Sequence, residues 1–313
     1  MKGLILSEKF FEEYGLPLIK GTFEEFSDRI AAGLVGHGSE CFGFDDDISR
    51  DHDFEAGFCF YLTDEDEKTF GFKLFREYSK LPDEYLGVKK AKASLFGDGN
   101  KGVKTIKEFY SFYLPGGELP TTNEDWLRIP DFYLAEATNG KVFYDGLGEF
   151  TRIREGIKNG IPSNVWLKKL ASALFYAAQY GQYNYERCLL HGEKLSASYA
   201  LGRFAEYSAK AFFLLKQKHA PYYKWLFRSL RELGNTENTV ADKLEVALSA
   251  PFDKNRNINI IEEICCLLRK EIAASPLTGG NNICGSGDYL EPYAYQINNL
   301  IKDGNLRNMP VML

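Results

Sequence analysis

Residues 36–54 read GHGSECFGFDDDISRDHDF, with the apolar run RIAAGLV at 29–35 before them and DFEAGFCFYL at 53–62 overlapping their end. Both runs read as strands, so the quoted stretch connects one strand to the next. In a strand, residues two apart share a face, which puts Asp51 and Asp53 side by side. Paired carboxylates repel one another unless a cation stands between them, and hard oxygen ligands suit Mg²⁺ or Mn²⁺ alike. Gly38-Ser39, just upstream, suits a tight turn whose backbone N–H groups and hydroxyl approach phosphate oxygens. Phosphoryl transfer asks mainly for charge neutralisation and in-line positioning, often with two metals roughly 3.5–4 Å apart. A lone D-x-D or Gly-Ser more often belongs to a solvated loop, and 45–47 alone reads as a solvated acidic turn. The order strand, GHGS, acidic loop, DHD, strand is what carries weight.

Outward from this stretch, the two halves of the chain differ. Residues 1 to about 150 mix short apolar runs with Gly and Pro punctuation at 36–43, 97–102 and 115–117, a pattern of short strands with intervening helices. The spacing of Phe70, Leu74, Phe75 and Tyr78 predicts a helix over 64–81 with those side chains on its apolar face. Residues 103–110 read either as a third strand or as a strand running into a helix. From Ser163 the periodicity is helical. Ser163 is a candidate N-cap for a helix with Trp166, Leu167, Leu170, Leu174 and Phe175 on one side. Further helices are expected at 184–217, 221–233, 237–250, 258–274 and 288–302, punctuated by Pro221, Pro251 and Pro276. The expected fold is an α/β domain with a mixed sheet over 1–150, then an all-α helical bundle over 151–313. The boundary falls in the Gly- and charge-rich stretch 148–162.

Composition narrows the partners. The chain has 313 residues, 44% of them hydrophobic and 26% charged, ordinary values for a globular protein with a sizeable core. A net charge of −6 argues against a chain that lives on nucleic acid, since phosphate neutralisation needs clustered Lys and Arg. Nucleotide binding needs only a local cationic patch and a metal. No apolar run approaches a membrane span and the N-terminus lacks a signal-like stretch, so the expected location is the cytoplasm. Six cysteines without CxxC spacing and four histidines disfavour a structural zinc site and leave reduced thiols as the expectation.

The composite motif resembles the polymerase-beta nucleotidyltransferase superfamily, in which an apolar strand, Gly-Ser, some ten residues and D-x-D occur in that order. More narrowly it resembles a bacterial subfamily without an assigned substrate that carries Gly-Ser-Glu, Gly-x-Asp-Asp and Ser-Arg-Asp-His-Asp. The resemblance continues through DWLRIPDFYLAEATNGKVFYD at 125–145 and HAPYYKWL at 219–226. It implies that Gly38 and Ser39 contact a nucleoside triphosphate and that Asp51 and Asp53 bind the metal. Glu40, Asp46 and Arg50 match the pattern without a settled role; Glu40 and Arg50 count as candidate nucleotide contacts, and Arg50 either faces a phosphate or pairs with the acidic loop. His52 points away from both aspartates, where a buried hydrogen-bonded histidine is expected. Superfamily enzymes place a third carboxylate on a later strand as metal ligand or base, and here only Glu108 is offered. In the helical half, Lys210, Tyr222 and Lys224 match subfamily positions, with the lysines expected to meet phosphates. Gly285-Ser286-Gly287-Asp288 lacks a flanking strand and reads as a helix-capping turn.

The resemblance implies a metal-dependent transfer of a nucleoside monophosphate from a nucleoside triphosphate to a hydroxyl, with release of pyrophosphate. The acidic charge favours a small-molecule acceptor over a polynucleotide. Two alternatives stay open: a catalytically silent nucleotide-binding sensor, and a transferase that modifies a protein. A serine or cysteine hydrolase is disfavoured, because no Gly-x-Ser-x-Gly elbow or Cys–His pattern stands out.

Overall fold

Ala-Ala-Gly-Leu at 31–34 forms strand β1 (Ala31–Leu34), and all four residues are buried. Such small side chains suit a strand flanked on both edges. The computed structural model describes residues 1–48, 54–89, 100–278 and 287–312. These form two units, Met1–Pro120 with Tyr133–Gly160, and Thr121–Phe132 with Ile161–Leu313.

In the first unit, β2 (Cys59–Leu62) and β6 (Lys141–Asp145) both run antiparallel to β1, and β5 (Gly102–Thr105) runs parallel to β2. The sheet order is β5-β2-β1-β6, a mixed sheet, and β3 (Glu84–Tyr85) and β4 (Val88–Lys89) make a separate hairpin. Alternation along β2 divides its aromatics between the two faces. Phe58, Phe60 and Leu62 join Phe10, Phe11 and Phe23 in one cluster, while Tyr61 meets Phe150 on the other face with ring centroids 4.3 Å apart. Aromatic residues make up 15% of the chain, and those along β2 serve packing.

The helical run expected at 64–81 spans Asp64–Asp66, a π-helical turn at Glu67–Gly71 and Phe72–Tyr78. Thr63 starts it by accepting a bond from the Asp66 N–H. Phe70 and Leu74 are buried, but Phe75 is exposed. One residue is about 100° of helix, so Phe75 turns out as Leu74 turns in. Of the two readings of 103–110, the strand running into a helix is the one found. Strand β5 passes directly into Ile106–Ser111 through a capping box made by Thr105 and Glu108, two orphan N–H groups being satisfied reciprocally.

The second unit is helical. Its long members are Ser163–Ala177, Lys194–Leu215, Asn235–Ser249 and Lys254–Ala274, with shorter ones at Tyr223–Arg231 and Glu291–Asn299. Ser163 is the first helical residue rather than the cap: Pro162 holds that position and no side chain bonds the free N–H groups. Trp166, Leu167, Leu170, Leu174 and Phe175 are buried as expected, and so are residues on the other faces, including Lys168. The single helix expected over 184–217 is interrupted, ending at Leu190 and restarting at Lys194. Gly285 and Ser286 of the expected capping turn lie outside the described residues. No helix among the described residues is long and apolar enough to cross a membrane.

The segment Thr121–Phe132 groups with the helical unit, a membership that the sequence reading does not contain. Specific bonds account for it. Asn123 Nδ2 donates to Asp303 Oδ2 at 2.6 Å. Lys169 Nζ donates to the Ile129 carbonyl at 2.9 Å and to Asp131 Oδ1 at 2.7 Å.

Lys168 Nζ, fully buried, donates to Asn298 Oδ1 at 2.8 Å and to the Met309 carbonyl at 2.7 Å. It ties the central helix to the C-terminal segment. Lys168→Met strands both acceptors in a buried place and should cost about 1–3 kcal/mol. Urea titration followed by circular dichroism measures this; an unchanged midpoint would mean that the two bonds add nothing to stability.

Candidate functional site

Beyond β1 the chain turns sharply. Gly36 and Gly38 have φ of 108° and 113°, values that residues with a Cβ rarely adopt. Asn139 clamps the first of them from both sides: its Oδ1 accepts from the Gly36 N–H at 2.8 Å and its Nδ2 donates to the Gly36 carbonyl at 2.6 Å. The His37 carbonyl accepts from Asn100 Nδ2 and from the Cys41 thiol. Residues 39–44 then close a tight loop, with the Ser39 carbonyl accepting from the N–H groups of Phe42 at 3.2 Å and Phe44 at 2.9 Å, and the Gly140 N–H bonding the Cys41 carbonyl at 2.8 Å. Gly38, Ser39 and Glu40 are thus held together and half-buried. Among the described residues, none hydrogen-bonds the Ser39 hydroxyl.

Charges around this loop are compensated locally. Lys101 Nζ stands 4.0 Å from Glu40 and 3.9 Å from Glu55, with all three side chains mostly buried. The acidic stretch 45–47 is not wholly a solvated turn. Asp45 is buried, its carboxylate accepts from the Gly3 N–H at 2.9 Å, and Lys2 donates to its carbonyl. Asp46 and Asp47 are exposed, and Asp46 accepts from the Ile48 N–H at 3.1 Å.

Other expected site residues divide into three groups. Arg50, Asp51, His52 and Asp53 lie outside the described residues. Glu108 sits past the end of β5, and its carboxylate accepts from the Thr105 N–H at 2.7 Å in the capping box, which gives it a structural task. Lys210 and Tyr222 meet in the second unit, at a cavity of about 410 Å³ lined by residues between Leu127 and Leu226. Lys224 does not line that cavity; it is exposed, 5.0 Å from the Trp225 ring centroid.

The cavity has two ion-paired walls. Lys169 and Asp131 form the mostly buried pair already described. Glu206 accepts from Lys210 on Oε1 at 2.5 Å and from Arg203 on Oε2 at 2.6 Å. Arg203 also donates to the Tyr207 hydroxyl at 2.6 Å and lies 4.7 Å from that ring's centroid. Burial pushes the Tyr207 phenol up to about 12, against the pull of Arg203. Phe132 and Tyr222 pack edge to face at 5.8 Å, with Tyr223 4.4 Å from Tyr222.

Several residues here escaped the sequence reading. Asn139 had a signal, since Asn-Gly at 139–140 marks a turn, but nothing local announces that its amide reaches residue 36. Glu136 lies one helical turn before Asn139, on Asp131–Thr138. Burial raises its carboxyl pKa from 4.5 to about 7, and its charge acts on Cys41 and Tyr113, which flank the Gly36 turn.

Residues 126–226 match the family model of a domain of unknown function, DUF4037. Every residue that lines the cavity falls within that span. No curated protein matches the chain.

Two outcomes are expected. Asn139→Ala removes both bonds to Gly36 and should lower stability by about 1–3 kcal/mol, read by thermal denaturation; a wild-type melting point would show the turn to be held by other contacts. For Glu136, the folded chain keeps the proton up to about pH 7 while the unfolded chain gives it up near 4.5, so this group lowers stability as pH rises through that window. Glu136→Gln should therefore gain on wild type between about pH 4 and pH 8. A difference in melting temperature that stays constant with pH would contradict that assignment.

Proposed function

We propose that the chain is a metal-dependent nucleotidyltransferase that moves a nucleoside monophosphate from a nucleoside triphosphate to a hydroxyl of a small-molecule acceptor. The observation that carries this reading is the turn leaving β1. Two glycines at positive φ and a serine hydroxyl without a bond among the described residues stand together where the chain leaves the strand. A tight turn of this kind at a strand end suits the close approach of phosphate oxygens. The arrangement around it supports the reading further, with β2 antiparallel to β1 and β5 parallel to β2, and so does the resemblance of the 36–54 motif.

In this reading Gly38 and Ser39 position the triphosphate, while Asp51 and Asp53 would hold Mg²⁺ or Mn²⁺. Held there, such a cation would supply charge neutralisation for the phosphate oxygens of an in-line transfer. The acceptor oxygen forms a bond to the α-phosphorus as the bond to the β-phosphate oxygen breaks, and pyrophosphate leaves. The hydroxyl proton needs a base. Glu108 is committed to its capping box; Glu136, half-buried on Asp131–Thr138 just before Asn139, is the other carboxylate that this reading offers.

One observation favours a second reading. Glu108 is the carboxylate that the resemblance offers as third acid, and its capping bond is what a nucleotide-binding protein without catalysis would also show.

The test measures melting temperature with each of the four nucleoside triphosphates, with and without Mg²⁺, for wild type and Asp51→Asn/Asp53→Asn. A ligand at about a hundred times its Kd adds roughly 2.7 kcal/mol, on the order of 5 °C for a chain of this size. A Mg²⁺-dependent rise absent from the double variant, with pyrophosphate released in a range of hydroxyl compounds, is the expected result. A rise without pyrophosphate in any of them favours the silent binder. No rise with any triphosphate removes the nucleotide site from consideration.

A further inference from the structure

From the cavity in the helical unit, we infer a second ligand site, specific for a small aromatic ring that carries one carboxylate. The inference rests on that unit alone and not on the transferase reading. A volume of about 410 Å³ falls within the roughly 300–1,000 Å³ of sites that take small molecules. The walls are apolar and aromatic, with Phe132, Tyr207, Tyr222 and Tyr223 among them. Four rings around one space suit a flat ligand, since offset and edge-on contacts between rings are favourable.

Charge decides the rest of the ligand. The lining holds three cations, Arg128, Lys169 and Lys210, against two carboxylates, Asp131 and Glu206; with the partners directly behind them, Asp125 on the exposed Arg128 and Arg203 on Glu206, four cations stand against three carboxylates, a net charge of +1. Both carboxylates already accept from cations, and Glu206 has one on each oxygen. A cationic ligand would have to share Asp131 or Glu206 with the cation already bonded there, against the repulsion of that neighbouring charge. An anion meets donors that are still available. An ammonium carries three N–H groups; Lys169 uses two, on the Ile129 carbonyl and Asp131, and Lys210 directs one to Glu206. The lining's single excess charge matches a monocarboxylate. A phosphate monoester, at about −1.5 to −2, exceeds it.

The two walls also set the geometry. Lys169 comes from Ser163–Ala177 and Lys210 from Lys194–Leu215, while Tyr222 immediately precedes Tyr223–Arg231. The rings of the 222–223 pair and of Phe132 then cover the apolar end of the ligand, and the carboxylate lies toward the lysines.

The test is calorimetric titration of the full chain in buffer containing a chelator, with 4-hydroxyphenylacetate, tyramine and adenosine monophosphate as probes. The first two share a ring and differ in the sign of their charge. Binding of 4-hydroxyphenylacetate is expected, with tyramine at least about tenfold weaker, because a charge-assisted hydrogen bond is gained by one and not by the other. Lys210→Met should weaken the acid about tenfold, Lys210→Arg should keep most of its binding, and Tyr222→Ala should weaken acid and amine alike. Asp51→Asn/Asp53→Asn should bind the acid as wild type does, which separates this site from the nucleotide site. Equal affinity for acid and amine, tighter binding of the nucleotide than of the acid, or an affinity untouched by Lys210→Met would each overturn the inference.

Discussion

Strand β1 is hydrogen-bonded along both edges, to β2 on one side and β6 on the other, and all four of its residues are buried. Little else in the first unit is free once this is fixed. A Cβ on Gly33 would stand 2.7 Å from the Lys141 carbonyl, at the irregular step in the β1–β6 register between Ala32 and Gly33. The backbone approach there leaves no room for a side chain. Because β6 lies so close, Asn139 and Gly140, which lead into it, reach the chain leaving β1. The turn at 36–44 therefore hangs from two strands at once. A loop held in this way keeps two glycines at positive φ and a half-buried serine in place through its own contacts.

Much of this was legible where a short-range rule decides it. The β1 and β2 strands follow from apolar runs and the helices from a period of 3.6, whereas the Thr105–Glu108 capping box went unread although Thr-x-x-Glu stands there. Sequence reading lost its hold where long-range contacts decide. Asn139 bonds a residue about a hundred positions earlier. Lys168 sits on a helix that is apolar nearly all round, and its charge is tolerated because two oxygens from the C-terminal region meet it. Phe75 has the spacing of a core residue, yet it points outward, since the π-helical turn before it and its neighbour Leu74 set the buried face. Of the candidate site, the Gly-Ser turn was read correctly as a turn. Which acids accompany it could not be read, because Glu108 and Glu136 differ only in what surrounds them.

Overall charge is a poor guide to the surroundings of the 36–44 turn or of the cavity in the helical unit. The chain carries a net −6, but its cations are placed against particular acids: Lys101 between Glu40 and Glu55, Lys169 on Asp131, Lys210 and Arg203 on Glu206. Each arrangement silences a carboxylate that would otherwise repel an anion. The field that a ligand meets depends on these local pairings, because exposed charges farther off than about 10 Å are largely screened at ordinary salt.

Thr121–Phe132 belongs with the helical unit although the chain on either side of it, up to Pro120 and from Tyr133, belongs with the other. The backbone thus changes units three times before it settles at Ile161. Neither unit is a contiguous cassette. A fragment beginning at Ile161 would carry Lys169 without Asp131 and Asp303 without Asn123, a mostly buried ammonium and a cap both deprived of their partners. Recombination that copied either half as a single stretch of gene would copy something incomplete. Whatever history joined the sheet to the helices, the interleaving now obliges them to be inherited together.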